Sequence, residues 1–147
     1  MVPGPKTARH EGVWRAMERT FEVQVHVDDP VGVRKARRAA TDAIEQWAVR
    51  PSVTDDACLV VSELLTNALS HGRSDAVLLV RHHHGCLRVE VVDEDTRLPV
   101  LVAPDPQSLS GRGLSLVASL ATSWGAERTA GGKSVWAEFD VSDRREA

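Results

Sequence analysis

The sequence has too few cysteines for a disulfide framework: two, Cys58 and Cys86, in 147 residues. Each sits in an apolar run and reads as a small buried residue. No apolar run is long enough to span a bilayer. The first stretch, Met1 to Arg19, carries Pro3, Pro5 and several charges but lacks the apolar centre of a secretory signal. An excess of positive charge is missing too. Eighteen Lys and Arg face 21 Asp and Glu, for a net charge of −3, so nothing pulls the chain toward nucleic acid or a membrane surface. No internal repeat is visible. With 42% apolar and 27% charged residues, the composition is that of a soluble globular protein, here one domain expected in the cytoplasm.

In chain order, residues 1–19 read as a poorly ordered tail, residues 20–141 as the domain and residues 142–147 as a C-terminal tail. Phe21 to Val27 alternates apolar and polar residues, the pattern of a half-buried strand. Asp28-Asp29-Pro30 predicts a capped helix start with proline in the first helical position. This helix runs to about Trp47, with Val33, Ala36, Ala40, Ile44 and Trp47 inward and Arg34, Lys35, Arg37 and Arg38 on a solvated outer face. Two strands, Ala76 to His83 and Leu87 to Val92, flank a tight turn at His84-Gly85. The triplet His82-His83-His84 does not read as a metal site, because neighbouring strand residues point to opposite faces; it reads as surface. A polar, proline-containing segment from Glu94 to Ser110 is long for a connection in a compact domain and predicts a mobile lid. Gly111-Arg112-Gly113-Leu114 then opens a helix with Leu114, Val117, Ala118 and Ala121 on its apolar stripe. A strand from Ser123, a turn at Ala130 to Lys133 and a strand from Ser134 to Val141 close the domain.

The chain is organised around Ser62 to Gly72, within a predicted helix from Asp55 to Ser70. Val61, Leu64, Leu65 and Ala68 form its buried stripe. Beside them Glu63, Asn67 and His71 recur every four residues and so share one face. A carboxamide oxygen suits a magnesium shell, which prefers hard oxygen ligands and retains waters. A carboxylate one turn away can orient or deprotonate a hydroxyl. At the other glycine-rich point, Gly111 and Gly113 let backbone approach an anion, and a helix N-terminus offers free N–H groups. The order of elements predicts an α+β fold: a two-layer sandwich with helices on one face of a mixed, mainly antiparallel sheet.

The combination of Glu63 and Asn67, the strand-terminal Asp93, the long segment and Gly111-Arg112-Gly113-Leu114 resembles the nucleotide-binding domain shared by histidine kinases, Hsp90, type II topoisomerases and MutL. Val60 to Gly72, the Gly-Arg-Gly-Leu run and the ending Gly132 to Phe139 most resemble stand-alone anti-sigma-factor serine/threonine kinases. The likeness covers about residues 20–141. It implies ATP and magnesium as ligands, with Asn67 as magnesium ligand and Glu63 as the base at the attacking hydroxyl. It implies that Asp93 accepts from the adenine amino group, that Gly111, Arg112, Gly113 and Leu114 form the phosphate loop, and that Ser134 lies near adenine. His71 would flank the site or cap its helix. The partners implied are a sigma factor or an anti-anti-sigma factor that receives the phosphoryl group, and the protein would be a homodimer. The chain departs from the wider pattern at Asp93-Glu94-Asp95-Thr96-Arg97, which has no glycine where two are usual. The side chains at 95 and 97 would narrow the pocket. The rival reading is a non-catalytic partner-binding regulator in which ATP is a structural ligand or is not bound; a weaker third is a slow ATPase.

Overall fold

The computed structural model describes residues 18–71, 74–98 and 112–142. In chain order these form β1 (Arg19–Val25), α1 (Gly32–Gln46), α2 (Pro51–His71), β2 (Ala76–His83), β3 (Cys86–Asp93), α3 (Arg112–Leu120), β4 (Ser123–Thr129) and β5 (Gly132–Asp140). The strands make one sheet in the order β1-β2-β3-β5-β4. The helices pack on one face of it, α2 across β2, β3 and β5, with α1 and α3 on either side of α2. The α+β two-layer sandwich expected from the sequence is the observed fold.

All four strand pairings are antiparallel, so among the described residues the sheet is not mixed. The connections explain this. Two helices separate β1 from β2 and return the chain to the end where β1 stopped, so Ala76 starts beside Val25. One helix separates β3 from β4, which leaves those two strands running the same way, as a crossover requires. β5 then inserts between them and pairs antiparallel with both.

Strand alternation builds the core. Leu78 and Val80 of β2, Leu87, Val89 and Val91 of β3, and Val135, Ala137 and Phe139 of β5 are buried toward the helices. They meet Ala36, Ala40 and Ile44 of α1, Ala57, Val60, Val61, Leu64, Leu65 and Ala68 of α2, and Leu114 and Val117 of α3. Leu65 and Ile44 are completely buried. Each such aliphatic side chain contributes about 1.5–3 kcal/mol of transfer free energy.

Several boundaries differ from the sequence expectation. β1 starts and stops two residues earlier, at Arg19 and Val25. α1 begins at Gly32, not at Pro30. Asp29 instead spends its side chain on a turn, where its Oδ1 accepts from the Val31 N–H at 3.1 Å. α2 begins one turn early, at Pro51, where proline's missing N–H costs nothing. The Thr54 hydroxyl back-bonds across that turn, donating to the Arg50 carbonyl at 3.1 Å. The turn between β4 and β5 is only Ala130-Gly131, which places Lys133 inside β5. The two cysteines are half-buried rather than buried, both as free thiols. Thr41 donates to Cys58 Sγ at 3.1 Å. The histidine triplet divides between two environments. His82 stacks on Trp47 at 6.3 Å between ring centroids, and burial lowers its pKa. His84 turns the chain at φ +50° beside Gly85 at φ +71°.

Candidate functional site

Three element ends meet at one end of the sheet. α2 ends at His71 and is joined to β2 by a short connection, so its last turns lie at the end where β2 begins. Ala76, the first residue of β2, pairs with Asp93, the last of β3, and Asp93 pairs with Lys133 near the start of β5. α3 leads into β4, whose first residue pairs with Glu138 at the opposite end, so its N-terminus points back toward Asp93. The helix face carrying Glu63 and Asn67, the strand-terminal carboxylate and the start of α3 thus share one region.

On α2, the inward stripe of Val61, Leu64, Leu65 and Ala68 is buried as the spacing predicts. Glu63 and Asn67 lie one turn apart at its margin and are half-buried. Neither side chain hydrogen-bonds to a described residue, which leaves the Asn67 carboxamide oxygen and the Glu63 carboxylate free to take external ligands. Among the described residues no three His, Cys, Asp or Glu side chains come together as a metal cage. A cation here would therefore rest on Asn67, ligand phosphates and water, the arrangement magnesium accepts. Gly111 and the segment from residue 99 to 110 lie outside the described residues, as does the tail before residue 18. Arg112 and Gly113 are placed in the first turn of α3, and Leu114 is a core residue at 7% exposure.

At the strand ends Asp93 and Lys133 form a buried ion pair. Their side chains are 1% and 4% exposed, and Lys133 Nζ lies 3.0 Å from Asp93 Oδ2. The well-directed hydrogen bond from Nζ goes to Oδ1, also at 3.0 Å. Oδ1 further accepts the Asp95 N–H at 2.8 Å. Oδ2 is left buried without a well-directed donor. The Lys133 ammonium, equidistant from both oxygens, still neutralises the carboxylate as a whole. Lys133 also faces Asp95, at 3.9 Å from its Oδ2. Asp95 is in turn gripped by Arg97, whose Nε and Nη2 reach the two carboxylate oxygens at 3.0 Å each. That fork, with the Arg97 backbone N–H, holds the Asp95 carboxyl far below the usual carboxylate range and raises the Arg97 guanidinium in step. The loop without glycines is therefore ordered by its own charges up to Leu98.

Strand alternation separates two residues that the sequence reading placed together. Ser134 is 2% exposed, but it follows Lys133 and so points to the face away from the helices. There its hydroxyl donates to the Glu90 carboxylate. It is not part of the Asp93 cluster; Lys133 takes the position beside Asp93. The signal was present in the spacing. Val135, Ala137 and Phe139 read inward at every second residue, and one further step back reaches Lys133. Gly132 fixes this register. A Cβ there would lie 1.8 Å from the Asp93 carbonyl oxygen, so only glycine lets the two strands close at this point.

The far face of the sheet carries its own polar network. Arg88 pairs with Glu138 at 3.0 Å and lies 3.8 Å from Glu90, and its guanidinium stacks 4.5 Å from the Trp136 ring centroid. Trp136 in turn covers Gly125, where a Cβ would come within 2.6 Å of the ring. The Cys86 thiol donates to Glu138 at 3.0 Å; burial first, and then that carboxylate, push its pKa up to about 12. An open depression of ≈ 600 Å³ also lies toward this side, lined by Gln24, Val77 and Val92 with strand-end residues. It is distinct from the α2 face that carries Glu63 and Asn67.

Comparison with known proteins agrees with this architecture. A family profile described as a histidine kinase-like ATPase domain matches residues 27–139, most of the chain. No match is found among curated proteins. Thirteen chains of solved structures match. One is the crystal structure of the RsbU and RsbW domains of Rv1364c from Mycobacterium tuberculosis, at 16% identity and a TM-score of 0.66. The alignment covers 84% of this chain and 32% of that one, so the likeness is one of fold over about a third of a longer protein.

Proposed function

Since the chain belongs to the histidine kinase-like ATPase domain family, we propose that it binds Mg-ATP where α2, β3 and α3 meet and acts as a regulatory protein kinase. The acceptor is a serine or threonine hydroxyl on a partner protein of the anti-anti-sigma type, and the process controlled is sigma-factor availability. The observation that carries the nucleotide reading is the convergence at one sheet end of an unengaged Asn67 and Glu63 with a buried carboxylate whose Oδ2 lacks a directed donor. Asp93 Oδ2 accepts from the base. The first turn of α3, with Arg112 and Gly113, faces the phosphates with free N–H groups and the positive end of its dipole. Magnesium bound through Asn67 would neutralise phosphate charge. Glu63 receives the hydroxyl proton as the acceptor oxygen bonds to the γ-phosphorus and the bond to the β-phosphate oxygen breaks. Such transfer depends mainly on positioning and charge stabilisation.

The test is calorimetric titration with ATP and magnesium, followed by incubation with labelled ATP and candidate acceptor proteins. Expected are binding that disappears in Asn67→Ala or without magnesium, and label transfer that disappears in Glu63→Ala while ATP still binds. Absence of binding at millimolar ATP defeats the nucleotide reading. Binding without transfer to any acceptor defeats the kinase reading.

A second reading is favoured by one observation: Lys133 already occupies the Asp93 carboxylate, and Arg97 holds the adjoining loop. In that reading the protein is a partner-binding regulator for which nucleotide is structural or unnecessary. Partner capture would then be unchanged by Glu63→Ala and by removal of nucleotide.

A further inference from the structure

We infer that Lys133 closes the base end of the nucleotide site in the free protein, and that adenine reaches Asp93 only when the Lys133 ammonium passes to Asp95. The inference rests on the nucleotide reading of this site and adds a gate to it. That reading gives the Asp93 carboxylate to the adenine amino group. In the structure the place is taken. Lys133 Nζ lies 3.0 Å from both Asp93 oxygens, and the two side chains are 4% and 1% exposed. The ammonium is itself a nitrogen donor, so it meets the carboxylate as the amino group of a base would.

Driving Lys133 away from every carboxylate would strand a buried charge, which is strongly destabilising. A second carboxylate adjoins it. Asp95 Oδ2 lies 3.9 Å from Nζ, and its side chain is 10% exposed. A shift of about 1 Å brings Nζ into hydrogen-bond range of it, within the freedom of a flexible four-carbon stem. Asp95 can accept Lys133 without losing Arg97, because an ionised carboxylate offers about four acceptor sites. Arg97 holds Asp95 ionised and is itself 76% exposed, so it can also yield toward solvent. Asp93 is not left bare by the move. Its Oδ1 keeps the Asp95 N–H at 2.8 Å. Its Oδ2, which has no directed donor even with Lys133 in place, is the oxygen released to the base. The backbone need not follow, since the cross-strand pairing of Asp93 with Lys133 and the close approach at Gly132 fix both strands at this level.

The experiment is calorimetric titration of the full chain with magnesium and ATP, and with purine riboside triphosphate, which lacks the 6-amino group. The proteins are wild type, Asp95→Asn, Lys133→Thr and the double variant, each checked for folding by circular dichroism. Lys133→Thr should bind ATP about 10- to 100-fold tighter than wild type, the range of one hydrogen bond to a charged group. Asp95→Asn should bind ATP at least about tenfold more weakly, because the ammonium has no second partner. It should also lose the preference for ATP over purine riboside triphosphate that wild type shows. In the double variant the Asp95→Asn penalty should vanish. ATP binding by Lys133→Thr no tighter than wild type overturns the gate and leaves the nucleotide reading standing. Asp95→Asn binding ATP as well as wild type or better overturns it too, since Asp95 would then only repel phosphate. No binding by any of these proteins defeats the inference and the nucleotide reading together. If Lys133→Thr does not fold, Asp95→Asn decides through its preference between the two nucleotides: an undiminished preference for ATP overturns the inference.

Discussion

The two faces of β3 and β5 handle charge in opposite ways, one residue step apart. Toward the helices a single lysine meets a single aspartate in nearly complete burial, with Nζ 3.0 Å from both carboxylate oxygens. Away from them Arg88 is shared by Glu90, Glu138 and Trp136, Ser134 is bonded to Glu90, and Cys86 to Glu138. The second arrangement spreads its charges over many partners and remains partly in contact with water. The first concentrates them in one pair shielded from water. The contrast is between a charge pair held almost entirely out of water and a network that shares its charges with solvent.

The sharpest way to break the contrast is Lys133→Met. It keeps the bulk of the side chain but strands a buried carboxylate, and about 3–5 kcal/mol of stability should be lost in urea unfolding. A loss under about 1 kcal/mol would mean that water already reaches Asp93. Next comes Gly132→Ala, which should cost about 3 kcal/mol, because the new methyl meets backbone and not a yielding side chain. Its neighbour Gly131 has open space around it, and Gly131→Ala should be neutral or stabilising by about 0.4–1 kcal/mol. Equal effects at the two glycines would refute the close approach of β3 and β5. On the far face, Arg88→Ala should cost only about 1 kcal/mol, as the pairs are partly exposed and its remaining partners can turn to solvent. The smallest effect is in pH. The Cys86 thiol is raised from its ordinary value near 9 to about 12. Its contribution to stability is present below pH 9 and is lost as pH rises from 9 toward 12. Alkylation of Cys86 should stay slow at pH 10 in the folded protein and become fast on unfolding; rapid labelling at pH 8 would contradict this.

Much of this was legible in the chain. The periodicities of Val61 to Ala68 and of Leu87 to Val91 mark the elements that bury them, because core positions must repeat at 3.6 or 2 residues to share a face. The Glu63 and Asn67 face followed from the same spacing. Turn lengths were harder. A glycine pair at 131–132 reads as a four-residue turn, yet Gly132 belongs to the strand because a distant backbone, that of Asp93, lies against it. That longer turn takes in Lys133 and starts the strand at Ser134, whereas the strand begins at Gly132 and turns Lys133 toward Asp93. The pairing partner, invisible in a local window, decided which of the two points inward. The antiparallel ladders have the same cause: the insertion of β5 between β3 and β4 is a long-range choice that no local pattern announces.

That insertion orders events during synthesis. β1, β2 and β3, with the two helices between β1 and β2, can pair as soon as they leave the ribosome. β4 emerges next but has no partner, since the strand beside it in the finished sheet is made last. Until Asp140 is out, β3 is an open edge lined by Leu87, Val89 and Val91, the kind of edge that invites pairing with another chain. A nascent chain halted anywhere between residues 94 and 131 carries that exposed edge. It is the interval in which the protein most depends on rapid elongation or on a chaperone.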